Sequence, residues 1–196
     1  MSTHARSTLG RWLLGSVADQ VVRTAGVPGL LVPPGAQVDQ GERLTHAVVA
    51  LDGSLHAEAA LGPARVLARQ CGTRLTLVRV VGPWAEVVRD DRGARASLEH
   101  LANELRADGI AVGMQTRYGG TAAELASSAE KHGADLMVMA TRARGGLARL
   151  ALGSVYAATL RQAHVPLLVL RSTRVVRARQ SAPLPSESGR LMSAAT

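Results

Sequence analysis

The sequence predicts an α/β protein built on an open, doubly wound, five-stranded parallel sheet. Three observations point there. Short apolar runs of strand length alternate along the chain with stretches whose Ala, Leu and Val recur at helical spacing. The runs are nearly continuous in apolar residues, as expected of strands covered on both faces. Phe is absent and aromatics make up 2% of the chain, yet apolar residues make up 46%, so a sizeable core can be built from Leu, Val, Ala and a few Met.

The elements follow in order. "LTHAVVALDGS" from Leu44 is an apolar run ending in Asp52, Gly53 and Ser54, a buried strand that delivers a polar loop at its carboxyl end. "HAEAALGPARVLARQCG" from His56 reads as a helix with Gly72 as its stop, and "RLTLVRVV" as a second strand ending at Val81. A loop around Pro83 and Trp84 leads to a helix through "RASLEHLANELRADG", closed by Gly109. "IAVGMQTRYG" is a third strand; "TAAELASSAEKHG" is a helix with Thr121 as cap and Glu124 completing a capping box. "ADLMVMA" is a fourth strand, "GSVYAATLRQA" a helix and "VPLLVLR" a fifth strand. In an open parallel sheet the ligand crevice lies beyond the carboxyl ends of the strands, where the strand order reverses. That places Asp52, Val80 and the loop after Met139 around one site.

An internal repeat precedes this domain. "LGSVADQVVRTAGVP" from Leu14 resembles "LGSVYAATLRQAHVP" from Leu152, and the gapless match extends from Thr3 and Thr141, with Gly15-Ser16 and Val27-Pro28 in register. At the same offset Met1 falls on Met139, inside the "DLMVMA" run. Residues 1–41 therefore read as the last helix and strand of a preceding repeat plus a linker. Residues 42–171 read as one complete domain, and 172–196 as a disordered Arg, Ser and Pro-rich tail. "VPGLLVP" is expected to pair with the edge strand near Leu167 to Leu170, and the partly covered edge to favour a homodimer through the fifth strand.

The net charge is +8, but it is unevenly placed. Residues 42–170 carry fifteen basic and twelve acidic groups, whereas the tail from Arg171 holds five Arg and one Glu. The excess belongs to a solvated tail, so no specific nucleic-acid partner is expected. No apolar run approaches the length of a membrane span, and no signal peptide is evident, so a cytoplasmic protein without a membrane partner is expected. The single Cys71 excludes an intramolecular disulfide and reads as a small buried hydrophobe. Six scattered histidines lack the spacing of a helical metal site, and no metal is expected.

Between Ala140 and Ser154 the chain reads "ATRARGGLARLALGS", an irregular connection into a helix opening at Gly153, Ser154 and Val155. Unpaired N–H groups and a partial positive charge at a helix start suit a phosphate. Gly153 lets the backbone approach closely, and the Ser154 hydroxyl can cap the helix or meet an oxygen.

With "VALDGS", "LTLVRVV", "GGTAAELASSAEKHGADLMVMATRARGGLARLALGSV" and "HVPLLVLR", the chain resembles the universal stress protein family over Leu44 to Arg171. The segment from Thr3 to Pro33 resembles the end of a preceding copy, as in tandem members. The resemblance implies a Rossmann-like, adenine-nucleotide α-hydrolase-like fold of strand order 3-2-1-4-5. It implies a non-catalytic stress-response protein that binds ATP, with Mg. Asp52 and Val80 would flank adenosine, with Ala50 and Met139 nearby. The loop with Ala140, Ala143 and Arg144, together with Gly153, Ser154 and Val155, would hold ribose and phosphates.

The family motif Gly-x2-Gly-x9-Gly-[Ser/Thr] is altered here, because its two leading glycines are Ala140 and Ala143. Glycine serves such loops through positive φ or by leaving room for the ligand. Two other readings therefore stand beside nucleotide binding: a partner-binding scaffold that has lost its ligand contacts, and an ATP-hydrolysing enzyme of the wider group. Against the enzyme, no nucleophile with a base and no carboxylate pair for Mg²⁺ lies near Gly153. In "DGSLH", Ser54 reads as a helix cap rather than the nucleophile of His56.

Overall fold

The computed structural model describes residues 27–36, 44–82, 91–142 and 155–172. Within them lie strands β1 Gly29–Leu31, β2 His46–Leu51, β3 Arg74–Val81, β4 Val112–Tyr118, β5 Leu136–Arg142 and β6 Leu167–Ser172. The helices are α1 Leu55–Glu58, α2 Leu61–Cys71, α3 Asp91–Ala107, α4 Thr121–Lys131 and α5 Val155–Gln162.

The strands form one sheet in the order β1-β6-β5-β2-β3-β4. Strands β2 to β6 run parallel to one another, whereas β1 runs antiparallel to β6. The expected five-stranded, all-parallel sheet of order 3-2-1-4-5 is thus corrected to a six-stranded mixed sheet. The physical reason is the open edge of β6, whose backbone groups need partners. An apolar run between Pro28 and Pro33 supplies them in the register Gly29↔Val169, Leu30↔Leu168, Leu31↔Leu167. This is the pairing the sequence suggested for "VPGLLVP", and it adds a strand of opposite direction.

Near-continuous apolar runs in the strands have the expected consequence that both faces of the sheet are buried. On one face Ala47, Val49 and Leu51 of β2 and Leu75 and Leu77 of β3 pack against α2 and α3. Ala64 and Ala68 of α2, four residues apart, let that helix lie close, and α3 contributes Leu98, Leu101, Ala102 and Leu105. On the other face Val48, Val78 and Met137 pack against Leu125 and Ala129 of α4 and Tyr156 and Leu160 of α5. Leu31 of β1 joins this second cluster beside Leu167 and Val169.

Three local expectations are also corrected. The single helix from His56 is two helices, because α1 ends at Glu58 and α2 begins at Leu61. Gly72 does stop α2, in the left-handed conformation at φ 71° with its N–H donating to the Ala68 carbonyl. Cys71 is exposed rather than buried, as the last residue of α2 beyond the sheet-facing stripe that ends with Ala68. Gly120, not Thr121, is the N-cap of α4, and Glu124 closes no capping box. Its carboxylate is drawn instead to the Arg117 guanidinium, which donates from Nε and Nη2, both at 2.7 Å. Trp12 and Trp84, which the sequence suggests as packing residues because aromatics are too few for a base-stacking platform, lie outside the described residues.

Candidate functional site

From the sheet centre, β2 leads to β3 on one side while β5 leads to β6 on the other, so the connections reverse between β2 and β5. The ladder between these strands runs from Ala47↔Leu136 to Val49↔Val138. Yet β2 continues to Leu51 and β5 to Arg142. The two strands part toward their carboxyl ends, which is how an open α/β sheet makes a ligand crevice.

Of the residues singled out in the sequence, Ala50, Val80 and Met139 share the apolar cluster on the α4 and α5 face. Ala50 and Met139 are buried and Val80 is half-buried. Asp52, two residues beyond Ala50 and one past the end of β2, is exposed. Val155 is exposed at the start of α5, one residue before Tyr156 of that cluster. Ala140 parts from this group: it is half-buried and packs against the cluster of the opposite, α2 and α3 face. Ala143, Arg144, Gly153 and Ser154 lie outside the described residues.

The turn after β2 is held by its own polar groups. Asp52 Oδ1 accepts from the Ser54 N–H at 2.8 Å and from the Ser54 hydroxyl at 2.5 Å. Ser54 Oγ in turn accepts from the Ala57 N–H at 3.3 Å and caps α1, as the sequence suggested. Gly53 adopts φ 80°, a conformation that favours glycine. His56 does not meet Ser54; its Nδ1 lies 3.1 Å from Ser172 Oγ and links α1 to the end of β6. Sequence reasoning missed Arg79, which lies against Gly53: a Cβ there would fall 2.8 Å from Cζ and 2.9 Å from both Nη atoms. The only signal was a charged residue inside the apolar run "LTLVRVV".

The displaced titrations lie elsewhere. Asp135 Oδ2 accepts from the Thr45 N–H and hydroxyl, both at 2.7 Å, and from the His46 N–H at 2.9 Å. Burial pushes this carboxyl upward, but those three hydrogen bonds and the charge of His46 outweigh it and hold it below its ordinary value. His46 is held below its ordinary value by burial first, helped by His132 and Arg74 and opposed by the His132 carbonyl and Asp135. Both groups sit at the amino ends of β2 and β5, opposite the crevice. There they tie strands together, so the shifts report structure rather than chemistry.

A groove of about 330 Å³ also lies between α3 and β4, lined by residues such as Arg95, Leu98, Met114 and Tyr118. It flanks the β4 edge, two strands from β2, and includes none of the residues predicted from sequence. Among the described residues no group of three or more His, Cys, Asp or Glu is placed to hold a metal ion. No helix among them is long and apolar enough to cross a membrane.

A sheet covered by helices on both faces, with parted central strands and an Asp-Gly-Ser turn at their carboxyl end, defines an α/β protein of the open, crevice-bearing class. A comparison with known families makes this specific: the Universal stress protein family matches residues 44–171. The chain belongs to that family. It is 30% identical over 183 residues to a universal stress protein of Mycobacterium tuberculosis strain H37Rv, covering 88% of this chain and 61% of the relative. It is 32% identical over 97 residues to one from Methanocaldococcus jannaschii, covering 47% of this chain and 55% of the relative. The chain thus spans about three fifths of the length of the mycobacterial relative. Among solved structures, a universal stress protein from Archaeoglobus fulgidus superposes with a TM-score of 0.71 at 24% identity, covering 86% of this chain and 60% of that one. Another universal stress protein, solved in complex with cAMP, superposes with a TM-score of 0.54 at 22% identity, covering 66% of this chain and 98% of that one.

Proposed function

We propose that this is a non-catalytic stress-response protein that binds an adenine nucleotide, ATP with Mg, at the carboxyl ends of β2 and β5. The observation that carries the reading is the early end of the β2–β5 ladder at Val49↔Val138. Beyond it Ala50, Met139 and Val80 offer an apolar floor, and Asp52 a carboxylate suited to a sugar hydroxyl. A universal stress protein of similar fold binds cAMP, also an adenine nucleotide, which supports the same ligand class. The phosphates would fall to the segment with Ala143, Arg144, Gly153 and Ser154, leading to Val155.

The two alanines of that motif have unequal consequences. Ala140 lies in β5, and among the described residues no non-glycine residue has positive φ, so its backbone needs no glycine. Its methyl group is packed on the α2 and α3 face, away from Met139. We assign the weakening to Ala143: if the nucleotide loop needs a positive φ there, an alanine costs about 1 kcal/mol. Isothermal titration of Mg-ATP, with GTP as control, is expected to give adenine-specific binding at about tens of micromolar. Ala143→Gly should tighten it roughly 5- to 10-fold and Ala140→Gly by less than about twofold. No binding at millimolar ATP, in the parent and in Ala143→Gly, would leave the partner-binding scaffold, the reading that the missing glycine pair favours.

Residues 1–41, 42–171 and 172–196 are read as the end of a preceding repeat, a complete domain and a tail. The homodimer expected through the fifth strand, β6, would have to include β1, which occupies the pairing edge of β6 and leaves Val27 and Leu30 exposed to 70% and 46%. Light scattering on a size-exclusion column at tens of micromolar should give twice the chain mass of 20.5 kDa. A clean monomer would remove the dimer.

A further inference from the structure

We infer that Arg79 is a positioning residue for Asp52, holding the Asp52-Gly53-Ser54 turn in the shape that presents its carboxylate to the crevice; this rests on the proposed site. Leu51 and Arg79 are partners in the β2–β3 ladder, so their side chains leave the sheet on the same face. From there the Arg79 side chain reaches past Leu51, and its end lies against the next turn of chain. Cζ and both Nη atoms are within 0.1 Å of the same distance from the Cβ position of Gly53, at 2.8, 2.9 and 2.9 Å. Equal distances to three atoms of a planar group mean that the guanidinium lies flat against the glycine, not end-on. Arg79 is half-buried there while Gly53 and Asp52 are exposed, so the arginine covers the turn from one side.

Two constraints thus meet at Gly53. Its φ of 80° bends the chain so that Ser54 can donate twice to Asp52 Oδ1, and its missing side chain leaves the space the guanidinium fills. Without the flat group beside it, the turn loses the packing that covers Gly53, and the two hydrogen bonds from Ser54 to Asp52 Oδ1 are more open to competition from water. A planar guanidinium stacks in this way, and an ammonium does not.

The test uses the whole chain with Arg79→Met, which keeps the aliphatic stem, and Arg79→Lys, which keeps the charge. Amide exchange of Ser54, whose N–H binds Asp52, should quicken about tenfold or more in both variants, while Val48 and Val49 of β2 keep their protection. Mg-ATP affinity should fall roughly 2- to 12-fold, the effect of ordering one loose side chain on binding, with the unfolding midpoint unmoved. An unchanged Ser54 amide, or full restoration by Arg79→Lys, would overturn the inference. If the parent chain binds no adenine nucleotide, the nucleotide reading fails by itself, and quickened Ser54 exchange still establishes Arg79 as the residue that sets the turn.

Discussion

Replacing Leu31 by alanine is expected to release β1 from the sheet and lower stability by about 2 to 5 kcal/mol, up to a ceiling set by how tightly β1 docks. Leu31 is 1% exposed and lies against Leu167 and Val169 in the α5-side cluster, whereas its neighbour Leu30 is 46% exposed. The strand has three residues, and Pro28 and Pro33 bracket it, so few ladder hydrogen bonds can hold it. Most of its attachment must come from one side chain. The ceiling follows because a chain that has lost the leucine can undock β1 alone and keep the other five strands. Urea unfolding read with amide exchange separates the two cases. The expected pattern is a modest fall in midpoint, with lost protection confined to the β6 amides that face β1. A loss below about 0.5 kcal/mol with protection intact would mean that the backbone pairing alone retains the strand.

What was readable in the sequence and what was not divides along sequence distance. Strands β2, β3 and β5 are legible because burial on both faces leaves uninterrupted runs such as "HAVVAL", and Gly72 announces the end of α2 through its need for positive φ. The pairing of β1 with β6 was legible from the repeat, but its antiparallel direction was not, and the sheet was counted as five parallel strands. The break between α1 and α2 was not legible, because it falls at Ala59 and Ala60, which are good helix formers. The Thr121 cap failed for a different reason: its partner Glu124 is claimed by Arg117, on the preceding strand. At the site, Ala50, Val80 and Met139 could be grouped because each lies near the carboxyl end of an apolar run read as a strand. The Arg79 contact with Gly53 and the Asp135 contact with Thr45 and His46 join residues far apart in sequence, and no local pattern marks them.

Asp135→Ala is expected to destabilise the protein by about 1 to 3 kcal/mol at neutral pH, toward the lower end because Asp135 is exposed and water can replace part of what is lost. One carboxylate oxygen receives two backbone N–H groups and a hydroxyl where β2 begins, and the Asp135 N–H donates back to the His46 carbonyl at 2.9 Å. Removing the side chain unties the start of β2 from the start of β5. His46 continues the same clasp: Nδ1 donates to the His132 carbonyl at 3.0 Å, so the neutral ring can accept at Nε2 from the Thr76 hydroxyl at 2.8 Å. The two shifts act in one direction on acidification. The Asp135 carboxyl is depressed in the folded state, so its contribution is present above the unfolded value near 3.8 and is lost as pH falls through the lower folded value. His46 is also depressed, and for a base the sign runs through the unfolded state. Below about pH 6.5 the unfolded chain takes up a proton that the folded ring refuses, so stability declines until the folded ring is protonated as well. Acid should therefore weaken the fold in two steps, the first just below 6.5 from His46 and the second below 3.8 from Asp135. Urea midpoints at pH 7.5, 5.5 and 3.5, with an NMR titration of the His46 ring, test the order. His46→Gln should flatten the first step, and Asp135→Ala the second. A His46 ring titrating above 6.5 would reverse the sign and leave the clasp with no part in the acid response.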